Sequence, residues 1–286
     1  MDIITRNPRI DETSALRRIW RVAFGDGDES AFFSYCYKPE MCLVAELNGM
    51  PVSAGYLLPA GRLKHDGQSL KCAMLYGVAS LPECRGRGFG TAVVRDLGAM
   101  GRGAGFDAVV LCPADDSLFE YYSDRTAFRD WFYVRERRLK VPSGRKRVNL
   151  TEITAQEYSF LREKFLVGIT HIEMDLDALS YQCLLCSKSG GGLFKADISG
   201  KTACAVVEKQ PDGKVLIKEL LAPDGYEDRV IAAIAAEFPA EEYIIRSPAC
   251  SFERDYRRFG MLVAFTFSMD CKEQSRTLPW YGLAFD

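Results

Sequence analysis

The stretch "LPECRGRGFGTAVV", residues 81 to 94, sets Arg85 and Arg87 among Gly86, Gly88 and Gly90, between an apolar run ending at Ser80 and an amphipathic run beginning at Thr91. Where a strand hands over to a helix, such a loop suits an anion. The first N–H groups of a helix have no partner within it and carry the positive end of its macrodipole, each anion contact contributing roughly 0.3 to 1 kcal/mol when exposed. Glycines admit a bulky group to the bare backbone, and arginines add charge-assisted donors. Spacing narrows the choice. A dinucleotide loop reads GxGxxG, whereas here the glycines alternate as GxGxG and Thr91 takes the third glycine's place; the GK[ST] of a nucleoside-triphosphate loop is absent.

The elements around the loop read as an alternation of helices and strands. Residues 13 to 24 and 29 to 37 have helical periodicity, the first with Leu16, Ile19, Trp20 and Ala23 on one face. The stretch from Met41 to Ser80 alternates apolar and polar residues around the turn signals Asn48-Gly49 and Asp66-Gly67, which predicts a three-strand antiparallel meander. After the loop, Val93, Val94, Leu97 and Met100 predict a helix from Thr91 to about Ala104, then "DAVVLCPA" a buried strand, "DSLFEYYSD" a short helix and "WFYVRERRL" a strand. A Pro-Ser-Gly break at 142–144 lies inside a basic run from Arg135 to Arg147, read as a solvated linker. The second half repeats the programme: helices near 154–166 and 175–187, strands at "GLFKADIS", "TACAVVEKQ" and "KVLIKELLA", a helix at "YEDRVIAAIAAEF", a strand at "EYIIRS", a helix at "SFERDYRRF" and a strand at "MLVAFTF". This is a domain duplication, with a first domain at 1–141 and a second at 149–286.

Composition sets the frame. The chain has 286 residues, 48% apolar and 27% charged, the profile of a globular protein of two domains. A formal net charge of −2 disfavours a nucleic-acid partner, and no uninterrupted apolar segment predicts a membrane span or a leader. Ten cysteines sit mostly in apolar stretches and read as reduced thiols of a cytoplasmic protein. Cys183 and Cys186 have CxxC spacing, but no second pair follows and the histidines are His65 and His171 alone, so no metal is expected.

The pattern V-x-x-x-P-E-x-R-G-x-G-x-G ahead of an amphipathic helix, in this order of elements, resembles the acyl-CoA loop of the GNAT superfamily of N-acyltransferases, and the resemblance covers most of residues 1 to 140. It implies an α/β (α+β) tandem GNAT fold: two mixed central sheets flanked by helices, the second copy degenerate. It implies that Arg85, Gly86, Arg87, Gly88, Phe89, Gly90 and Thr91 hold the CoA pyrophosphate. It implies too that Gly77, Val78 and Ala79 pair through their backbone with the pantetheine arm, in a strand that splays from the one at 107–113. It implies acetyl-CoA as the cosubstrate.

An amine of pKa near 10.4 must lose a proton before attacking a thioester, at a cost of about 4.6 kcal/mol at pH 7, so a base or a water relay is expected. The strand at 72–80 has no carboxylate; Glu83 lies on the loop's edge. The leaving thiolate needs an acid, which in many GNAT proteins is a tyrosine of a Y-x-x-x-G-F pattern. Here "FEYYSDRTAF" has Ala127 for the glycine and one residue more than usual between Tyr122 and Phe128, so Tyr122 is the first choice and Tyr121 the second. "LPWYGLAFD" is apolar to its last residues and reads as a docked strand instead of a loose tail; the two-copy layout is similar to enhanced-intracellular-survival-type acetyltransferases, which place the C-terminal carboxylate in the first domain's active site, and that would give Asp286 a role. Asp115 and Asp116 suit either a cationic acceptor or helix capping. In the second half "PDGYEDRV" puts acids where the loop has arginines, which would repel a pyrophosphate. That copy is expected to shape the acceptor cleft.

The expected function is transfer of an acetyl group to a primary amine of a small molecule or peptide by direct attack. The alternatives are a catalytically inactive acyl-CoA sensor or interaction protein, and a tandem aminoacyl-tRNA-dependent transferase, which the acidic balance and the intact loop disfavour. Oligomeric state and acceptor identity are not encoded in any motif.

Overall fold

The computed structural model describes residues 3–140, 148–252, 255–269 and 276–285. In chain order the first half carries β1 (Thr5–Arg6), α1 (Thr13–Phe24), α2 (Glu29–Tyr35), β2 (Cys42–Leu47), β3 (Met50–His65), β4 (Gln68–Ser80), α3 (Phe89–Gly103), β5 (Ala108–Leu111), α4 (Ser117–Arg125) and β6 (Arg129–Leu139). The second half carries β7 (Asn149–Glu152), α5 (Ala155–Phe165), β8 (His171–Glu173), α6 (Leu176–Lys188), β9 (Gly192–Ile198), β10 (Lys201–Lys209), β11 (Val215–Leu221), α7 (Glu227–Glu237), β12 (Tyr243–Ser247) and β13 (Tyr256–Ala264). Two compact units result. Unit 1 gathers Met1–Gly61, Leu70–Trp131 and Gly260–Asp270; unit 2 gathers Arg62–Ser69, Phe132–Phe259 and Cys271–Asp286.

The sheet of unit 1 runs β1-β2-β3-β4-β5, with residues 261–264 of β13 antiparallel to β5. Its hairpin turns lie where the sequence marked them: Asn48 and Asp66 take φ of 53° and 48°, each followed by a glycine that also has positive φ, the conformation a tight two-residue turn demands. Strands β4 and β5 are parallel and paired at Cys72–Ala108, Ala73–Val109 and Met74–Val110. Beyond Met74, β4 runs on to Ser80 without that partner. Helix α3 buries Val93, Val94 and Leu97, the apolar stripe read from the sequence. Its counterpart α1 buries Leu16, Ile19 and Trp20, and Trp20 stacks on Phe32 of α2 with ring centroids 4.2 Å apart.

Unit 2 repeats the plan. Its sheet runs β6-β12-β11-β10-β9-β7, and β8 pairs with residues 62–64 at the end of β3. Strands β11 and β12 are again parallel over three rungs, Val215–Tyr243 to Ile217–Ile245, and β11 again runs on past them. The succession β9-β10-β11-α7-β12 thus matches β2-β3-β4-α3-β5. Val230, Ile231 and Ile234 of α7 close the core over Val215, Ile217 and Ile245.

One element differs in kind from its sequence reading. The segment expected to be helical at "SFERDYRRF" supplies β13 from Tyr256 onward. Its charged residues mimic a helix surface, but Phe259, Met261 and Leu262 are buried and Arg257 donates to Glu136 Oε2 at 2.7 Å, so tertiary pairing overrides local propensity.

Candidate active site

Strand β4 leads into the loop through a short 3-10 turn at Pro82–Cys84, and α3 opens at Phe89 behind Gly88. Gly88 is the N-cap residue with φ +86° and ψ −1°, left-handed backbone that a side chain rarely adopts, and no side chain caps the helix. The unpaired first-turn N–H groups are therefore left for an external acceptor. Arg85 and Arg87 are exposed beside them, Arg85 donating to Ser80 O at 3.3 Å and Arg87 lying 5.3 Å from the Phe89 ring centroid. Neither has a carboxylate partner among the described residues.

Gly77 sits in β4 past the last rung with β5, at φ +60°, and a Cβ there would meet Trp20 Cζ3 at 2.8 Å and Tyr56 Cδ2 at 3.1 Å. Both geometry and packing require glycine. Val78 is half-buried, and Ala79 is buried with its carbonyl accepting from Ser53 Oγ at 2.8 Å, while Ser80 Oγ donates to Ser53 Oγ at 2.9 Å. Ser53, fully buried on β3, thereby fixes the strand end that feeds the loop; its only sign in the sequence is a hydroxyl within an apolar run.

Helix α4 brings Tyr121 and Tyr122 into play. The Tyr121 hydroxyl is hydrogen-bonded to Thr91 Oγ1 in the first turn of α3, which gathers Thr91, Tyr121 and the loop's helix end into one site. Tyr122 packs edge-on against it with centroids 5.3 Å apart, and burial, helped by Tyr121 and Asp115, pushes its hydroxyl up to about 12. It stays protonated throughout the neutral range. Asp115 accepts from Ser117 Oγ at 2.5 Å and from Ser117 N at 2.9 Å, and these bonds, the hydroxyl's above all, hold its carboxyl below the usual range; Asp116, the N-cap residue of α4, is exposed with no capping bond. Glu83 is exposed and 3.8 Å from Arg18.

In unit 2 the matching helix carries an acid in its first turn. Arg135 holds both oxygens of Glu227, in the first turn of α7, at 2.8 and 2.6 Å, and Arg137 donates to the same carboxylate at 3.0 Å. No side chain caps α7, but the arginines beside its start are neutralised by this carboxylate. The C-terminal segment is buried in the same unit: Trp280, Tyr281, Leu283 and Ala284 are at most 1% exposed. Trp280 forms a bridge with His171, and its indole N–H donates to Glu219 Oε1 at 2.7 Å. Glu219 is itself fully buried, its other oxygen accepting from Tyr158 at 2.7 Å and Arg162 at 2.8 Å. The only sequence sign of this network is Lys218-Glu219 inside the otherwise apolar β11. Asp286, considered as a carboxylate donor to the site, lies outside the described residues.

In unit 1 the pairing of parallel β4 and β5 ends ahead of the uncapped, glycine-led start of α3, and in unit 2 β11 runs on past its pairing with β12 ahead of α7. The family model "Acetyltransferase (GNAT) domain" matches residues 5–125. No curated protein matches the chain by sequence. Among solved structures it is similar to a probable N-acyltransferase from Enterococcus faecalis V583, at 13% identity and TM-score 0.70 over 94% of this chain and 74% of that one. Eis1 from Mycobacterium abscessus aligns at 12% identity and TM-score 0.61, covering 92% and 74%. A tandem GNAT protein from the clavulanic acid biosynthesis pathway aligns at 12% and 0.55, covering 92% and 98%. Residues 5–125 hold a GNAT domain, and the fold of the chain is that of tandem GNAT proteins. No helix among the described residues is long and apolar enough to cross a membrane.

Proposed function

We propose that the protein is an N-acetyltransferase that moves the acetyl group of acetyl-CoA to a primary amine of a small molecule or peptide by direct attack, working in the cytoplasm. The observation that carries this reading is the uncapped start of α3 behind Gly88, with Arg85 and Arg87 free of carboxylates among the described residues, at the end of a strand that runs on past its pairing with β5. The loop's N–H groups and arginines bind the pyrophosphate, and the backbone of Gly77, Val78 and Ala79 orients the pantetheine arm. The amine lone pair attacks the thioester carbonyl carbon, the C–N bond forms, and the C–S bond breaks as the intermediate collapses. The amine nitrogen loses a proton to water, and the departing sulfur gains one. Tyr122, still protonated at neutral pH, is the proton donor to sulfur, while Tyr121 is engaged with Thr91. The copy at 149–286 is degenerate: its matching helix opens on Glu227 and Asp228, and the neighbouring Arg135 and Arg137 are paired with Glu227.

An acyl-CoA sensor is the second reading, favoured by β4 having no carboxylate along Gln68–Ser80 to serve as base. Release of free CoA thiol from acetyl-CoA over a panel of polyamines, aminoglycosides, amino acids and peptides separates the two. Turnover with at least one amine supports the transferase; tight acetyl-CoA binding with no turnover across the panel supports the sensor.

A further inference from the structure

Most arginines of unit 1 are spoken for. Arg6 pairs with Glu12 and Glu46, Arg17 and Arg21 with Glu29, Arg18 with Glu83 and Arg95 with Asp96. Arg125, at the end of α4, joins Arg85 and Arg87 in having no carboxylate partner among the described residues, and like them it is exposed. It is nevertheless held: its guanidinium lies 4.6 Å from the centroid of the Tyr121 ring, the ring whose hydroxyl is bonded to Thr91. Stacking on an aromatic face restrains the guanidinium and leaves its edge donors free for a planar or tetrahedral anion.

The end of α4 does not need Arg125. Thr126 donates to Tyr122 O through both its N–H at 2.9 Å and its hydroxyl at 2.6 Å, and Arg129 covers the carbonyls of Ser123 and Thr126 at 3.1 and 2.9 Å. The carbonyls of Tyr122 and Ser123 in that last turn are thus served by these two residues and not by Arg125. Arg125 is thus a restrained cation without an internal task, one tyrosine ring away from the first turn of α3.

Resting on the reading of that turn as a CoA site, the charges can be apportioned. CoA carries a pyrophosphate and, apart from it, a phosphoryl group on the ribose 3′ oxygen. The loop N–H groups with Arg85 and Arg87 suffice for the first. We propose that Arg125, stacked on Tyr121, binds the 3′-phosphoryl group and sets a preference for CoA over 3′-dephospho-CoA.

The test is calorimetric titration of the full chain and its Arg125→Gln variant with CoA and with 3′-dephospho-CoA. The wild-type chain should bind CoA about tenfold or more tightly than the dephospho form, the scale of one charge-assisted hydrogen-bonded contact. Arg125→Gln should erase that difference and leave the dephospho-CoA affinity within about twofold, with an unchanged circular-dichroism spectrum. A variant that keeps the wild-type ratio overturns the proposal, as does one that loses affinity equally for both ligands, the mark of adenine stacking. Failure of the wild-type chain to bind either ligand overturns the CoA reading itself and this proposal with it.

Discussion

Replacing Arg85 and Arg87 together by alanine should weaken CoA binding by about two orders of magnitude and leave the fold intact. Both side chains are exposed and neither joins an ion pair among the described residues, so their loss removes one 3.3 Å bond to Ser80 O and one stacking contact with Phe89. The unliganded chain therefore keeps its melting temperature within about 1 °C, as for other surface substitutions. Hydrogen bonds to charged groups contribute about 1.5 to 3 kcal/mol, and exposure puts these two at the lower end, about 3 kcal/mol together or a factor near 150 in Kd. Binding should survive in weakened form because the first-turn N–H groups behind Gly88 remain. Titration calorimetry with CoA at two salt concentrations reads both the loss and its electrostatic origin, since the variant's affinity should depend less steeply on salt. A loss under threefold would refute the assignment of the pyrophosphate to this loop.

Tyr122→Phe should lower the steady-state rate by about 10²-fold or more, in the range of a lost general acid, with CoA affinity unchanged; a wild-type rate would move the acid to Tyr121 or to water. Trp280→Phe leaves Glu219 Oε1 without its indole donor in a site closed to water, so thermal unfolding should show a loss of about 2 to 3 kcal/mol, and an unchanged midpoint would contradict the network described for unit 2. The Arg6 guanidinium, aided by the Arg9 N–H, holds the Glu12 carboxyl down to about 2 against the opposing effect of burial. Because its folded pKa is lowered, its stabilisation is fully present above about pH 4.5 and is lost as pH falls toward 2. Glu12→Gln should cost on the order of 1 kcal/mol at pH 7, after allowance for solvent screening, and nothing near pH 2 by denaturant titration.

What the sequence disclosed follows the range of the forces involved. The turns at Asn48-Gly49 and Asp66-Gly67, the stripe Val93-Val94-Leu97 and the alternating glycines are local, each fixed by backbone sterics or a short period, and each has its counterpart in the structure. The start of α3 at Phe89 instead of Thr91 is a matter of where Gly88 turns left-handed, which a run of three glycines does not specify. Pairing partners are non-local. Nothing in "MLVAFTF" announces that Met261–Ala264 will lie against Leu111–Ala108, and the charges of "SFERDYRRF" conceal the strand that leads there. The Glu219 network was hidden for the same reason, since Tyr158 and Arg162 of α5 and Trp280 of the C-terminal segment converge on it from two distant parts of the chain. In the loop, by contrast, types and spacing sufficed, because the backbone conformation is itself the binding site.

The central claim is that one of the two copies holds acetyl-CoA at the start of α3 and that the other, whose matching helix opens on acids paired with its own arginines, holds none. Native mass spectrometry of the full chain with acetyl-CoA tests it most directly. One molecule bound per chain, with the bound fraction sharply reduced on replacing Arg85 and Arg87, is the predicted result; two molecules per chain, or none, would contradict it.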